Sequence, residues 1–455
     1  MSQKSKRVTD TLGRVYEIDK KLASGGQGTV FSVKNGNFAV KILGKKSGAE
    51  KEKLYNQLTQ LRLLPIEELP LARLIERLQP PHLGYVMDLL TGMVPLSKLI
   101  DFPQNESNLV EWYFQGGGLR RRLYLLARCA EVFARLHGKS LVYADPSPGN
   151  IFISEDADGL EVRLIDIDNL HYESSPASIP VYTPGYGAPE LVGGKSGVNT
   201  LTDAHAFAVI AFQTLCLVHP LKGDLVENGE PEIMEKALAG MLPWIDDPDD
   251  FSNQCSWGIP REIVLSKGLR ELAERCFGEG LRNPLKRPKL TEWQEKLYAA
   301  ADATIECPEC EGTYYFSHKK CPWCDYPRPD FLLVRVGRLE PGKRIVYEPK
   351  DLPILCLSYG NNLILTSRIF DPFSNEHTPE IELTLERDNR VYIRRLSDRR
   401  FWSSVRGTKL RELRETKVYF TVKPDKQVDP TILHSRPLER GHRAITFQLF
   451  PGEKL

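Results

Sequence analysis

The segment between residues 141 and 168 constrains this chain more than any other. Asp145 and Asn150 stand five residues apart, just before the apolar run 151–153, and Asp166 directly follows a second apolar run, 164–165. A single such residue more often caps a turn, but three at the ends of strand-like runs favour a shared site. Carboxylate and amide oxygens suit Mg²⁺. Because phosphoryl transfer depends mainly on positioning and charge neutralisation, the segment predicts a site for metal-bound phosphates beside a general base.

A glycine-rich stretch near the N-terminus has the pattern of a phosphate-binding turn. Strand-like runs at 16–22 and 30–34 enclose three glycines, Gly25, Gly26 and Gly28. Backbone N–H groups can approach phosphate oxygens only where no side chain blocks them, which favours glycine. Taken alone, the stretch is equally typical of an ordinary hairpin.

These motifs resemble those of the protein kinase superfamily, and the resemblance extends from the N-terminus to about residue 300. The spacing from Asp145 to Asn150 matches the family's catalytic loop, and Lys41 in the run 38–41 matches its V-A-I-K motif. The resemblance implies that Asp145 is the catalytic base, that Lys41 binds the α and β phosphates, and that Asn150 and Asp166 hold Mg²⁺. The nucleotide site that it implies comprises Gly25, Gly26, Gly28, Val30, Lys41, Glu50, Asp88, Leu90, Asn150 and Asp166, with the backbone of Asp88 and Leu90 facing adenine.

The resemblance also implies a glutamate partner for Lys41 on the first helix. Glu50 and Glu52 are both candidates in the helical run 49–64. Glu50 lies one helical turn before Leu54, so we expect Glu50 to form the pair and the other glutamate to be a solvated surface charge.

Downstream motifs continue the resemblance. Residues 188–190 match the family's A-P-E motif. The nearly apolar run 201–217 predicts a buried central helix, and the resemblance implies that Asp203, near the start of this run, ties down the catalytic loop. Arg287 matches the late arginine that pairs with the A-P-E glutamate, so we expect a buried ion pair between Glu190 and Arg287. Small-molecule kinases generally lack this pair, which favours a protein substrate.

Three departures from the family pattern affect the expected activity. Tyr143-Ala144 replaces His-Arg before the catalytic aspartate, which predicts activity that does not depend on activation-segment phosphorylation. Ser147 replaces a lysine that contacts the γ-phosphate in serine/threonine kinases, and Asp168 replaces the glycine of D-F-G. Asp168 either adds a carboxylate near the metals or accepts backbone hydrogen bonds, and the sequence does not distinguish these roles. Together the departures resemble a bacterial group of atypical kinases, some of which act beside a metal-dependent phosphatase and a von Willebrand-type protein.

Four cysteines form the pattern CPxC-x10-CPxC. Cys307, Cys310, Cys321 and Cys324 can present two thiolates from each of two tight turns, which completes a tetrahedron around Zn²⁺. A rubredoxin-like iron site is the lesser alternative. The pattern leaves no open ligand position, so we expect a structural zinc ribbon.

The remainder of the chain is a succession of short strand-like runs. A basic stretch, 387–406, carries interleaved aromatic residues, which is compatible with a nucleic-acid or phosphopeptide surface. Alternation of exposed charges and buried aromatics on strands explains the same pattern more simply.

The sequence therefore predicts an α+β chain in three parts. A bilobal protein-kinase-like domain covers 1–303, with its N-lobe ending at about 88, a zinc ribbon covers 304–329, and an all-β sandwich or barrel covers 330–455. The expected function is that of a cytoplasmic, ATP-dependent serine/threonine protein kinase that uses Mg²⁺ and transfers the γ-phosphate to protein hydroxyls, with the ribbon and β domain recruiting partners or substrates.

A nucleotide-binding pseudokinase scaffold is the alternative, and a nucleic-acid-associated adaptor is a third hypothesis. The formal net charge of +1 argues against a chain dominated by affinity for nucleic acid or a membrane surface. We see neither a membrane span nor a signal peptide. Nine cysteines, four of them in the two CxxC pairs, fit a reducing compartment better than a disulfide framework.

Overall fold

The chain divides into two compact units. The computed structural model describes residues 6–25, 28–34, 36–44, 48–104, 106–175, 181–343, 346, 352–371, 374, 377–406, 409–423, 428–438 and 440–453. The first unit comprises Met1–Gly117, Tyr124–Arg261 and Lys267–Leu297, and the second comprises Gly118–Leu123, Glu262–Ser266 and Tyr298–Leu455.

An antiparallel sheet and one helix build the N-terminal part of the first unit. The elements are β1 (Arg7–Thr9), β2 (Val15–Gly25), β3 (Gly28–Val33), β4 (Phe38–Leu43), α1 (Gly48–Leu61), β5 (Leu74–Arg77) and β6 (Gly84–Asp88). The strand order is β1-β2-β3-β4-β6-β5, so β4 and β6 are interior strands. Val40 and Val86 are fully buried in the core on one face of this sheet. Alternation along β4 places the side chain of Lys41 on the opposite face.

Helices dominate residues 93–302, in which parts of α3, α8 and α11 belong to the second unit and the remainder to the first. In chain order the elements are β7 (Met93–Pro95), α2 (Leu109–Gln115), α3 (Gly118–Gly138), β8 (Leu141–Val142), β9 (Ile151–Ser154), β10 (Val162–Leu164), β11 (His171–Tyr172), α4 (Pro189–Val192), α5 (Thr200–Cys216), α6 (Asp224–Glu227), α7 (Pro231–Leu238), α8 (Arg261–Val264), α9 (Lys267–Phe277), α10 (Glu279–Arg282) and α11 (Leu290–Asp302).

Helix α5 is the central helix predicted from the apolar run. Nearly all of its side chains are buried, and it begins at a capping box in which Asn199 and Thr202 bond reciprocally. The capping box satisfies backbone N–H groups that a buried helix start would otherwise leave unpaired. The sequence prediction of a buried helix is confirmed.

The second unit is all-β apart from short helical segments. Its elements after α11 are β12 (Thr304–Glu306), β13 (Thr313–Tyr315), β14 (Phe331–Leu339), β15 (Ile354–Ser358), β16 (Asn362–Thr366), α12 (Ser367–Phe370), β17 (Pro379–Leu385), β18 (Arg390–Arg395), β19 (Trp402–Val405), β20 (Arg411–Glu412), β21 (Lys417–Thr421), β22 (Thr431–His434) and β23 (His442–Phe450).

Two antiparallel sheets of the second unit share one core, which makes it a sandwich. One sheet has the order β15-β14-β23-β22-β19-β20 and the other the order β16-β17-β18-β21. Their inner faces meet in one apolar cluster, to which Val334 and Phe447 contribute from the first sheet and Leu383 and Ile393 from the second. Such interdigitation is what packs two sheets face to face.

In the part of the basic stretch 387–406 that forms β18, exposed and buried side chains alternate along the strand. Val391 and Ile393 of β18 are buried, whereas Arg390 is exposed. On the same outward face, the ring of Tyr392 lies 5.5 Å from that of Tyr419 on β21. In the described residues, no helix has the length and apolar character needed to cross a membrane.

Buried histidines in the first unit make its stability sensitive to acid. His219 accepts the amide hydrogen of Leu221 and bonds through Nε2 to the carbonyl oxygen of Gly185 at 2.8 Å. Burial lowers the pKa of His219 to about 4. The unfolded chain has an ordinary histidine pKa of about 6.5 and therefore binds the proton first as pH falls.

We expect the free energy of unfolding to decrease between pH 7 and pH 5, with about 2 kcal/mol of the loss attributable to His219. His219→Gln keeps a donor for Gly185 and cannot titrate, so it should lose correspondingly less over the same interval. Urea unfolding of both proteins at the two pH values measures the difference. Equal losses would show that His219 titrates normally in the folded protein.

Candidate active site

Three neighbouring strands place one side chain each in a row across the N-terminal sheet. Lys41 on β4 lies opposite Val30 on β3 and opposite Tyr85 on β6. Gly84 precedes Tyr85 with φ +153°, and a Cβ at Gly84 would collide with the carbonyl oxygen of Lys41. Only glycine therefore lets β6 lie against β4 at this point. The sequence analysis did not single out Gly84, since nothing local distinguishes it from a turn glycine.

The ammonium group of Lys41 lies between two carboxylates. Lys41 donates to Asp166 and to Asp168, the latter at 2.6 Å, and its side chain is 6% exposed. Burial lowers the pKa of Lys41, but the two carboxylates outweigh burial and raise it above its ordinary range. The lysine therefore remains charged.

Asp168 is held from several sides. Its Oδ1 accepts the hydroxyl hydrogen of Tyr85, and its Oδ2 accepts from Lys41. Its backbone carbonyl accepts the side-chain amide of Gln57 on α1 at 2.5 Å. Burial raises the pKa of Asp168, while Lys41 and Tyr85 act in the opposite direction.

The structure does not form the expected ion pair between Lys41 and Glu50. Glu50 and Glu52 are the only acidic residues of α1, and both side chains are exposed. Within the described parts of the chain, neither glutamate bonds to Lys41. The reason is the packing of α1, which buries Leu58 and Leu61 near its end and leaves its first turn in solvent.

The glycine-rich turn joins β2 to β3, and the structure describes Gly25 before its tip and Gly28 after it. A Cβ at Gly25 would meet nothing within 4 Å, so its backbone is open to a ligand. At Gly28 a Cβ would collide with the carbonyl oxygen of Ile42 on β4, so the pairing of β3 with β4 already requires glycine there. Gly26 lies outside the described residues.

The loop that carries Asp145 is tied to helix α5 by one buried carboxylate. Asp203 is fully buried and accepts the backbone amides of Tyr143 at 2.8 Å and Ala144 at 3.0 Å. This confirms the expectation that Asp203 holds the loop. Tyr143, which stands in place of the family's histidine, donates its hydroxyl hydrogen to the carbonyl of Ile165, the residue before Asp166.

Asp145 and Asn150 lie together at the end of this loop. The Asn150 side-chain amide donates to the carbonyl of Asp145 at 3.1 Å. The carboxylate of Asp145 accepts both the amide and the hydroxyl hydrogen of Thr183, at 2.7 and 2.8 Å. Burial raises the pKa of Asp145, and the Thr183 hydrogen bonds partly offset this. The sequence analysis missed this structural contact of Thr183, which only the fold creates.

Backbone hydrogen bonds join Asn150 to the loop of Asp166. The amide of Ile165 donates to the carbonyl of Asn150 at 3.0 Å, and Asp166 itself has left-handed backbone angles, φ 55° and ψ 49°. The resulting chain of contacts runs from Lys41 through Asp166 to Asn150 and Asp145. The structure thus brings these four predicted residues into one connected cluster.

The segment after β6 runs alongside the start of β4. Asp88 lies opposite Phe38 on β4, and the amide of Leu89 donates to Asn37 at 3.0 Å. The backbone amide and carbonyl of Leu90 make no hydrogen bond to any described residue. The expectation that the backbone of Asp88 and Leu90 faces an adenine ring stays a prediction.

Glu190 and Arg287 form the expected ion pair. Two guanidinium nitrogens of Arg287 donate to the two carboxylate oxygens of Glu190, both at 2.7 Å. The guanidinium also donates to the carbonyls of Gly280 and Leu201. The arginine side chain is fully buried, so this bidentate pair fastens α4 to the end of the helical part.

The four cysteines form a candidate metal site in the second unit. Their sulfur atoms all lie within 4.8 Å of one another. Cys307 and Cys324 are separated by 3.5 Å between sulfur atoms, and Cys310 and Cys321 by 3.7 Å. A tetrahedron with metal–sulfur bonds of about 2.3 Å has sulfur–sulfur edges of about 3.8 Å, so the cluster fits one metal ion.

The comparisons with known proteins agree with this geometry. The family described as "Protein kinase domain" matches residues 16–299. The chain belongs to the protein kinase domain family. The kinase domain therefore occupies most of the first unit.

Curated relatives are similar to the kinase domain. Serine/threonine-protein kinase pkn2 of Myxococcus xanthus is 29% identical over 242 residues, which is 50% of this chain and 27% of that protein. Serine/threonine-protein kinase DCLK2 of Ailuropoda melanoleuca is 26% identical over 288 residues, 61% of this chain and 34% of that protein. Calcium/calmodulin-dependent protein kinase type 1B of Rattus norvegicus is 24% identical over 309 residues, 66% of this chain and 80% of that protein. The chain thus spans about a third or less of the first two relatives.

Removing one partner of the Glu190–Arg287 pair should destabilise the kinase domain strongly. Arg287→Ala leaves the Glu190 carboxylate without its partner, and we expect a loss of about 3–5 kcal/mol in the free energy of unfolding. Arg275→Ala is the matched control, because its partner Glu292 is 39% exposed and the pair should contribute about 1 kcal/mol or less. Urea unfolding monitored by tryptophan fluorescence compares the two. Similar losses in both variants would contradict the assignment of a buried, stabilising pair.

Proposed function

We propose that this chain is an ATP-dependent serine/threonine protein kinase that transfers the γ-phosphate of ATP to protein hydroxyl groups. The observation that carries the proposal is the connected cluster of Lys41, Asp166, Asn150 and Asp145. An ammonium group, an amide and two carboxylates within linked loops are what phosphoryl transfer requires. The names of the three relatives given above, two serine/threonine-protein kinases and one calcium/calmodulin-dependent protein kinase, support the same class.

Asn150 and Asp166 suit a hard divalent cation. The Asn150 carboxamide donates through nitrogen to Asp145, and its oxygen receives no donor from the described residues. The Asp166 side chain is 25% exposed, so its carboxylate can reach a ligand. Bound Mg²⁺ would neutralise phosphate charge at these oxygens. Lys41 would direct its ammonium group to the α and β phosphates, and the open backbone at Gly25 and the neighbouring Val30 would cover them.

Asp145 is placed to handle the proton of the substrate. As the substrate oxygen bonds to the γ-phosphorus, the bond from that phosphorus to the β–γ bridging oxygen breaks and ADP leaves. The hydroxyl proton passes to the Asp145 carboxylate. Thr183 fixes this carboxylate by two hydrogen bonds to one oxygen, which leaves the other oxygen for the substrate.

The rest of the site favours a protein substrate without a requirement for prior phosphorylation. The pair of Glu190 and Arg287 is typical of protein kinases and not of small-molecule kinases. Tyr143 and Ala144 provide no guanidinium to bind a phosphate on the activation segment.

Ser147 is buried and uncharged where a lysine usually contacts the γ-phosphate. The pseudokinase alternative rests on this missing charge and on Asp168 in place of the D-F-G glycine.

We further propose that the four cysteines bind Zn²⁺ and that residues 304–329 form a ribbon whose metal is structural. The ribbon cysteines share an apolar cluster with Tyr314 and with Phe331 of β14. The same proposal includes recruitment of partners or substrates by the ribbon and the sandwich. It also includes a cytoplasmic location and action beside a metal-dependent phosphatase and a von Willebrand-type protein.

A transfer assay tests the proposed activity. The purified chain, labelled ATP and Mg²⁺ should phosphorylate peptides with a central Ser or Thr in preference to Tyr. Asp145→Asn removes the base and should lower the rate by about a hundred- to ten-thousand-fold. Asp249→Asn makes the same chemical change on an exposed residue and should not affect the rate. Nucleotide binding without transfer in the wild type would favour the pseudokinase scaffold.

Metal analysis tests the ribbon. We expect about one zinc per purified chain, since four thiolates complete a tetrahedral site. The double variant Cys307→Ser/Cys310→Ser should lose the metal and unfold its part of the second unit, because zinc binding supplies about 10–16 kcal/mol to such short folds. Cys255→Ser, at a cysteine outside the cluster, should keep the zinc. Stoichiometric iron, or an ordered ribbon without metal, would contradict the proposal.

A further inference from the structure

The carboxylate that positions Lys41 does not come from the first helix of this kinase domain. Helix α1 contains two acidic residues, Glu50 and Glu52, and both are exposed in its first two turns. The contact of α1 with the site is made instead by Gln57, which donates to the backbone carbonyl of Asp168. Helix α1 therefore bonds to the loop that supplies the carboxylate, and that loop bonds to the lysine.

Asp168 has the geometry of a permanent partner for the lysine. One of its oxygens accepts from Lys41 at 2.6 Å and the other accepts from Tyr85. Both donors belong to the rigid interior strands β4 and β6, where Lys41 and Tyr85 stand side by side. The Asp168 side chain is only 6% exposed.

Asp166 and Asp168 differ in their freedom to bind a metal. The Asp166 side chain is 25% exposed, about four times as much as that of Asp168. Both oxygens of Asp168 already accept a hydrogen bond from a buried donor. Moving Oδ1 to a cation would leave the buried hydroxyl of Tyr85 without its acceptor, and moving Oδ2 would leave Lys41 with Asp166 as its remaining carboxylate partner. An unpaired buried donor is costly. Asp166 also accepts from Lys41, but it is the carboxylate with room for a metal, whereas both oxygens of Asp168 are taken by Lys41 and Tyr85.

We propose that Asp168 is the positioning residue for Lys41 and takes over the role that we had expected of Glu50. The inference deepens the proposed kinase function and rests on it for its catalytic consequence. Asp168 holds the ammonium group on the sheet through its own charge, Tyr85 fixes the orientation of the carboxylate, and Gln57 fixes the backbone of the loop. The side chain at the position of the D-F-G glycine is thus explained as a replacement for the helix carboxylate.

The first test does not require enzymatic activity. Asp168→Asn keeps the shape of the side chain and removes its charge, so Lys41 should lose part of its stabilisation as an ammonium ion. Competitive acetylation of the nucleotide-free, full-length chain by an N-hydroxysuccinimide ester, read by mass spectrometry, should show Lys41 roughly tenfold more reactive, which corresponds to about one pKa unit. The double variant Glu50→Gln/Glu52→Gln should leave the reactivity of Lys41 at the wild-type level. The reverse pattern would overturn the proposal.

The second test separates lysine positioning from metal binding. Asp168→Asn should lower kcat/KM for ATP by about 10- to 100-fold, the value of a hydrogen bond to a charged group. The Mg²⁺ concentration for half-maximal rate should stay unchanged, whereas Asp166→Asn should raise it. Glu232→Gln, an exposed carboxylate of α7, is the matched surface control. A raised Mg²⁺ requirement in Asp168→Asn would make Asp168 a metal ligand and overturn the inference.

Two additional variants keep the tests decisive. Asp168→Glu retains the charge and should restore most of the low Lys41 reactivity, which a purely structural role would not predict. If Asp168→Asn does not fold, Tyr85→Phe removes only the hydroxyl that orients Asp168 and should shift Lys41 reactivity in the same direction by a smaller factor; no shift would count against the proposal.

If the wild type transfers no phosphate, the kinase proposal fails while the acetylation result still decides the partner of Lys41.

Discussion

The burial of one ammonium group organises the nucleotide end of this kinase domain. Lys41 is 5% exposed on an interior strand, and a charge in that position requires partners because desolvation costs several kcal/mol. Asp166 and Asp168 supply them, which docks the loop 166–168 against the sheet. Tyr85 and Gln57 bond to the same loop, so the sheet and helix α1 both depend on its position.

Hydrogen bonds from buried charged side chains also hold the loops that would surround a substrate. Buried charged side chains recur where irregular backbone must be held, because each satisfies groups that a loop cannot pair by itself. Asp203 accepts two consecutive amides of the Asp145 loop, and Arg287 pairs with Glu190 while donating to two carbonyls. The geometry of the candidate site thus depends on polar contacts from the helical scaffold, which a rigid core can position reproducibly.

Many elements could be predicted because their signals are local. The spacing of Asp145 and Asn150, the apolar run that became α5, and the paired CxxC turns are each contained in a few dozen residues at most, and the structure agrees with each. The pairing of Glu190 with Arg287, 97 positions apart, came from the resemblance and not from spacing. The sandwich was one of two expected all-β forms, and two separate sheets around one core decide between them.

The sequence by itself determined which chemical groups are available to this protein: a lysine on a strand, an aspartate and an asparagine in one loop, two aspartates in another, and four thiols. Only the tertiary structure decided which of them meet. The sequence shows three carboxylates that could pair with the lysine, namely Glu50, Glu52 and Asp168. Helix α1 buries Leu58 and Leu61, so its two glutamates face solvent. The docking of residues 166–168 brings Asp168 to Lys41. The physical reason is that partner choice depends on desolvation and packing between segments more than a hundred residues apart, which no local pattern records.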